Sequence, residues 1–346
     1  MATEPGKAQA VNRTVQASLL VGMQMVAALA QASAATFQED FATDPLARGW
    51  RVFGDRSLFG WDSNHQQLRV TWDSSRTNSY FAWKLGTVLG NSDDFSLAFD
   101  LRLEEARVGV DPAKPFTFEL AIGFIHLATA TATNFARGTG IHPLYGPRNL
   151  VEFAYFPDTD PPTLGATVAP TVVSTNNQFA FSHNFPLELT LGDWFRVEMA
   201  YWASNRVLRT RLWRNGQPFG LPPDQRLGDV LLAQACDFRV DTLAISSYSD
   251  TRAGGSLLAR GVVDNIQVDL PPPPVQNLVG RFDQDTWIVR FHARTNWLYS
   301  LERTTDWRGW EAVGLPSWAT RPWLELEDRT APRLPAAFYR VRAERP

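Results

Sequence analysis

The sequence predicts an all-β chain: an antiparallel jelly-roll sandwich followed by a small β-sandwich of immunoglobulin or fibronectin type. Three observations carry this. Apolar residues recur with period two. In FSLAFDLRL every odd position from Phe95 to Leu103 is apolar, and Ser96, Ala98, Asp100 and Arg102 fill the even ones, the pattern of a strand with one buried face. Clusters of Gly, Pro, Asn and Asp punctuate many such runs, and only a short turn near Leu227 to Ala235 reads as helical. The 13 Trp and 22 Phe suit half-buried pleated surfaces.

The first element lies outside the fold. Lys7 and Arg13 precede an uncharged apolar run, Ala17 to Ala30, and Ala32-Ser33-Ala34 forms a small-x-small exit. This is the pattern of an export signal, removed at about residue 34. The run is shorter than the roughly 20 apolar residues that span a bilayer, and no later stretch reads as a membrane span. The expected place of work is the periplasm, the cell surface or the extracellular space.

Residues 35–270 form the jelly roll. After FSLAFDLRL, strand-like runs continue through LRVTW (68–72), FTFELAIGFIHL (116–127), NLVEFAYF (149–156), FPLELTL (185–191), VDTLAISSY (240–248) and VVDNIQVDL (262–270). Cys236 is the sole cysteine, so no intramolecular disulfide supports the fold, and the thiol reads as buried and inert.

The segment DWFRVEMAYWASNRVLRTRLWRNG folds back on itself. A four-residue turn at Ala203 to Arg206 pairs Trp202 with Val207, Glu198 with Arg211 and Arg196 with Trp213. One face then carries Phe195, Val197, Met199, Tyr201, Leu208, Thr210 and Leu212 toward the core. The other carries Arg196, Glu198, Trp202, Arg209, Arg211 and Trp213. Glu198–Arg211 reads as an opposite-charge pair and Arg196–Trp213 as a cation–π stack, each contributing about 0.2–1 kcal/mol. Asn215-Gly216 closes the next tight turn, because both residues accept positive φ.

Pro271 to Val275 (PPPPV) is a stiff linker, and 276–346 is the small module, with the runs TWIVRFHA, WLYSLERT, WLELED and FYRVRAE.

Three segments resemble the laminin-G-like members of the concanavalin A-like lectin/glucanase group. They are the opening EDFATDPLARGWRVFG (39–54), the hairpin with Trp194 and Asn215-Gly216, and the closing VVDNIQV (262–268). NLVEFAYFPDTD, DTLAISSYSD and the proline linker resemble a group of exported proteins of environmental bacteria. The resemblance implies a jelly roll. That fold hosts lectins, hydrolases, lyases and adhesive domains alike.

Catalysis finds no support in the residues. Related hydrolases carry Glu-x-Asp-x-x-Glu on one strand, one carboxylate attacking and one protonating. Here Glu152 keeps the first position, Ala154 replaces the Asp and Pro157 stands at the second Glu. Glu152 therefore reads as a polar-face residue of its strand. His65, His126, His142, His183 and His292 are dispersed, without metal-ligand spacing. Asp93-Asp94 and Asp158-Thr159-Asp160 are the candidate calcium ligands, although Asp pairs also start turns. Lys+Arg 33 against Asp+Glu 36 gives a net charge of -3, with no basic excess for nucleic acid.

The leading expectation is a non-catalytic, exported binding protein whose partner is a polysaccharide or cell-surface glycan. The ligand candidates are Trp202, Trp213, Arg211 and Glu198 on the hairpin, with Glu152 and Tyr155 on another strand. The alternatives are an adhesive module without a small ligand, and a glycan-active hydrolase or lyase.

Overall fold

The computed structural model describes residues 35–137, 147–157, 165–176, 179–182, 185–222, 224–226, 237–249, 252, 254–330 and 337–345. The export-signal segment, the turn near Leu227 to Ala235, Cys236, His142, His183, Asp158 and Asp160 lie outside the described residues.

The first seventeen strands build two sheets. They are β1 (Ala35–Glu39), β2 (Arg51–Phe53), β3 (Phe59–Asp62), β4 (Gln67–Asp73), β5 (Ser79–Leu89), β6 (Phe95–Val108), β7 (Leu120–Ile125), β8 (Leu150–Phe156) and β9 (Thr167–Val173). After these come β10 (Phe179–Ser182), β11 (Phe185–Pro186), β12 (Phe195–Trp202), β13 (Val207–Arg214), β14 (Gln217–Gly220), β15 (Gln225–Arg226), β16 (Val240–Ser247) and β17 (Leu257–Leu270). Sheet A runs β14-β13-β12-β6-β17-β4-β3, with β1 on β17 and β15 on β13; sheet B runs β10-β9-β8-β7-β16-β5-β2, with β11 on β9. All the pairings within them are antiparallel. The two sheets form the jelly-roll sandwich.

Their inner faces interdigitate, as packed sheets do. Phe95 meets Phe124 edge-on at 5.4 Å and Phe99 meets Phe153 at 5.7 Å. Period two is realised on β6, where Phe95, Leu97, Phe99, Leu101 and Leu103 are all buried. The hairpin adopts the expected register at every pair from Phe195–Arg214 to Trp202–Val207. Asn215 and Gly216 both take positive φ (49° and 80°). The Asp-Asn of VVDNIQV sits at a bulge in β17. Asn265 takes φ 47°, and its Nδ2 donates to Asp100 at 2.8 Å.

β17 ends at Leu270 and six further strands follow: β18 (Val275–Asp283), β19 (Thr286–Ala293), β20 (Leu298–Thr304), β21 (Glu311–Trp318), β22 (Trp323–Asp328) and β23 (Phe338–Glu344). Sheets β18-β19-β22 and β21-β20-β23 make the small sandwich. Its core holds Val289, Phe291, Trp297, Tyr299, Leu301 and Leu326.

Four expectations need correction. FTFELAIGFIHL is strand only over Leu120–Ile125. A helical turn α1 (Leu127–Ala130) follows, held by the backbone bonds of Ala130 and Thr131 to His126 and Leu127. FPLELTL pairs only at Phe185–Pro186. Arg196 does not stack on Trp213; it reaches across β6 to Asp100 (3.2 Å) and the Asn265 carbonyl (2.6 Å), since an anion and a carbonyl hold a guanidinium better than an indole face. Glu152 is not on a polar face. It is fully buried, because the outer face of sheet B is covered by the chain from His126 to Arg137 and by Tyr248.

Candidate binding groove

The outer faces of the two sheets differ. On sheet A the register fixes three rows of cross-strand neighbours. The first row is Arg209, Ala200, Ser96, Asp269 and Thr36. The second is Arg211, Glu198, Ala98, Gln267 and Gln38, and the third is Trp213, Arg196, Asp100 and Asp264. Ala200, Ser96 and Ala98 are therefore adjacent small residues surrounded by long polar ones. Ala200 and Ser96 form the floor of a depression.

Trp202 stands at one end of that floor. The Arg209 guanidinium lies 5.0 Å from the ring centroid on the β13 side and is locked by two bonds to Asp224, at 2.8 and 2.7 Å. On the β6 side a cavity of about 500 Å³ opens. It is lined by Trp202, Ala200, Ser96, Asp94, Asp269, Leu270, Pro271, Pro272 and Arg294, among others. Trp202 is thus backed by a cation on one side and faces open space on the other. An aromatic ring so fixed presents a flat apolar surface with little entropy left to lose on binding. Asp269 accepts from Thr36 (2.9 Å) and Ser96 (2.7 Å) at the opposite wall. Asp94 accepts from the Ala203 amide at 2.7 Å.

The second module supplies one wall. Asp93 is buried and receives both Arg294 and Arg345 from that module, while the Gly90 amide donates to it at 2.9 Å. Tyr299 donates to the Pro274 carbonyl at 2.8 Å and accepts from the Arg294 amide at 2.8 Å. The linker and the module are thereby tied to the rim of the groove. Burial pulls the Arg294 guanidinium down, and Asp93 opposes that pull.

Of the residues singled out from sequence, Trp202, Trp213, Arg211 and Glu198 share this one outer face. Glu198 and Arg211 are exposed and opposite one another. Trp213 lies six residues along the strands from Trp202, about 20 Å away at roughly 3.3 Å per residue. Glu152 and Tyr155 belong elsewhere. They point to opposite sides of β8, Tyr155 into the core and Glu152 to the covered face, and neither reaches the groove. Asp93 spends its oxygens on arginines. Among the described residues no group of three or more His, Cys, Asp or Glu is arranged to hold a metal ion.

The covered face of sheet B holds a different arrangement. Arg137, itself buried, lies 3.0 Å from Glu119 and 3.5 Å from Glu152, and Tyr248 donates to Glu152. Burial pushes the Glu152 carboxyl up against the pull of Arg137. A separate cavity of about 630 Å³ opens nearby, lined by Asn78, Tyr80, Thr131, Asn134, Phe135, Ser249 and Arg252, among others. Tyr80 and Phe135 lie between it and the ionic cluster, each packed on Tyr248.

Sequence reasoning missed the floor of the groove and the Arg137 cluster. Ala200 and Ser96 carry no chemical signal of their own, and the β6–β12 pairing joins segments about 100 residues apart. Glu119 did leave a trace, as a lone charge inside FTFELAIGF, where such residues stay buried only when paired.

No protein-family model and no curated protein sequence matches the chain. Solved structures with a similar course include peanut lectin (13% identity, 70% of this chain and 100% of that one, TM-score 0.45). The seed lectin of Lotus tetragonolobus matches at 11% identity, 69% and 100% coverage, and a TM-score of 0.44. The legume lectin-like domain from Entamoeba histolytica matches at 10% identity, 67% and 95% coverage, and a TM-score of 0.39. Likenesses this distant carry no function across, and what the chain does has to come from its own groove.

Proposed function

We propose that this is an exported, non-catalytic carbohydrate-binding protein whose ligand lies in the groove beside Trp202. The supporting observation is the wedged indole, held from behind by Arg209 and open toward a floor of Ala200 and Ser96. A pyranose has one apolar face for a ring and hydroxyls around its edge. Asp269 and Asp94 supply planar partners for those hydroxyls on the surrounding walls, and Glu198 and Arg211 lie in the next row of the same face. The apolar run before residue 34 supports export.

The test is binding of the full chain to an immobilised glycan panel, with and without a calcium chelator. Retention on at least one glycan, lost on Trp202→Ala and unaffected by chelation, is the expected result. Retention that Trp202→Ala leaves intact overturns the placement, and no retention on any glycan overturns the function. A chelator-sensitive signal moves the site toward loops outside the groove.

A further inference from the structure

The loop between β20 and β21 presents a second aromatic surface, distinct from the groove. Trp307 is 62% exposed and takes φ +62°. Left-handed backbone is rare and strained for a bulky side chain. Gly309, two residues on, is not in that region. The loop thus has a residue that takes left-handed backbone freely, yet the tryptophan is the one that occupies it.

Five hydrogen bonds hold the arrangement, one of them donated by Thr304 Oγ1 to Asp306 Oδ1 at 3.2 Å. Thr304 Oγ1 accepts from the Trp307 amide (3.1 Å) and the Asp306 amide (3.3 Å). Asp306 Oδ1 accepts from the Arg308 and Gly309 amides at 2.8 and 3.2 Å. Two rings back the exposed indole, Phe338 at 4.2 Å and Trp310 at 5.8 Å. Arg340 covers Trp310 at 4.2 Å and is anchored to Glu302 at 2.6 Å. The loop is built to hold one indole outward.

We infer that Trp307 is a second carbohydrate contact, taking the apolar face of a sugar ring in a polysaccharide. The size of the patch selects this occupant. A stable protein interface needs about 800 Å² from each partner, and one aromatic side chain buries only about 150–250 Å². Trp307, Trp310 and Phe338 partly cover one another and are rimmed by exposed charge from Asp306, Arg308 and Glu311. A small ligand with an apolar face and a polar edge fits that rim. The site stands apart from the groove reading, since it shares no residue with it.

The experiment is depletion of the full chain by microcrystalline cellulose, chitin or starch granules, with phosphatidylcholine/phosphatidylglycerol vesicles in parallel. Trp307→Gly removes the ring and relieves the left-handed strain. It is expected to leave the melting temperature unchanged or higher while retention on the bound polysaccharide falls at least tenfold. Trp307→Phe should keep most of the retention, and Trp202→Ala should lower it by a separate factor. The inference is overturned if none of the three polysaccharides retains the wild type, or if Trp307→Gly is retained as well as wild type. It is also overturned if vesicle binding is what Trp307→Gly abolishes. Loss on Trp202→Ala with none on Trp307→Gly leaves the groove standing and removes this site alone. The reverse pattern does the opposite.

Discussion

The outer face of sheet A and the outer face of sheet B are made by the same pleat, and they have opposite fates. On sheet B, residues Glu152, Thr171, Thr242 and Ser246, with Glu119 just before β7, are turned away from the sandwich core and are nevertheless buried, because another layer of chain lies over them. On sheet A the corresponding side chains meet water, and the small ones among them leave a hollow beside Trp202. A covered polar face has to satisfy its charges internally, as Arg137 does for two carboxylates. An open one can leave planar polar groups free for a ligand. The charged cluster therefore reads as architecture, and the open surface is where binding is proposed.

The strongest way to break this comparison is to remove Arg137. Arg137→Ala leaves Glu119 and Glu152 buried without their cation, and breaking a buried pair of this kind typically costs about 3–5 kcal/mol. Denaturant unfolding should show a loss of that size. If Arg137→Ala unfolds like the wild type, the covered face is not held by its charges, and the contrast between the faces fails.

Asp93→Ala is the next test. It strands Arg294 and Arg345, whose side chains reach the surface in part, so a loss of about 3 kcal/mol, the lower end for a broken buried pair, is expected. The wall formed by the second module should loosen as well. Limited proteolysis should then cut near Pro271 to Pro274 in the variant before it does so in the wild type.

How far the sequence disclosed these two faces follows from burial. Alternation exposed sheet A well: FSLAFDLRL and the hairpin from Phe195 to Arg214 show period two, and the pairing of Trp202 with Val207 follows from turn length alone. Sheet B was harder. TVAPTVV (Thr167–Val173) is buried on both sides, so it shows no alternation, and Pro170 in its middle argues against a strand that its Thr and Val would otherwise favour. β5 (SYFAWKLGTVL) and the exposed β18 and β21 were likewise not visible as alternating runs. Trp202 was found because an indole on a polar face is conspicuous. The small residues that make room beside it were not, because a hollow is defined by what is missing.

Smaller effects sharpen the open face. Trp202→Ala should weaken glycan binding by about 2 kcal/mol, some thirtyfold in affinity, if the ring acts as a centrally placed anchor. Calorimetry on the glycan identified by the panel measures it. Stability should hardly move, since the ring is only half-buried.

Asp264, in the third row of the outer face, offers a pH test. Burial, with Asp100 nearby, pushes its carboxyl up to about 6. A carboxyl raised on folding binds its proton more tightly in the native state. Its contribution is therefore fully present below about pH 4 and lost as pH rises through about 6. Asp264→Asn should remove that decline and stabilise the protein at pH 7 by on the order of 1 kcal/mol, allowing for solvent screening of a partly exposed group. Melting curves of both proteins from pH 4 to 8 would show it as converging midpoints at the acid end.

On the proposed function, ligand meets sheet A and not sheet B. Hydrogen–deuterium exchange of the full chain, with and without an oligosaccharide of the retained glycan, tests it most directly. Protection is expected in the segments that carry Ser96 to Asp100, Arg196 to Trp202 and Asp269, with no change from Glu119 to Arg137 or along β8. Protection confined to Glu119 to Arg137 and β8, with β6 and β12 unchanged, would contradict it.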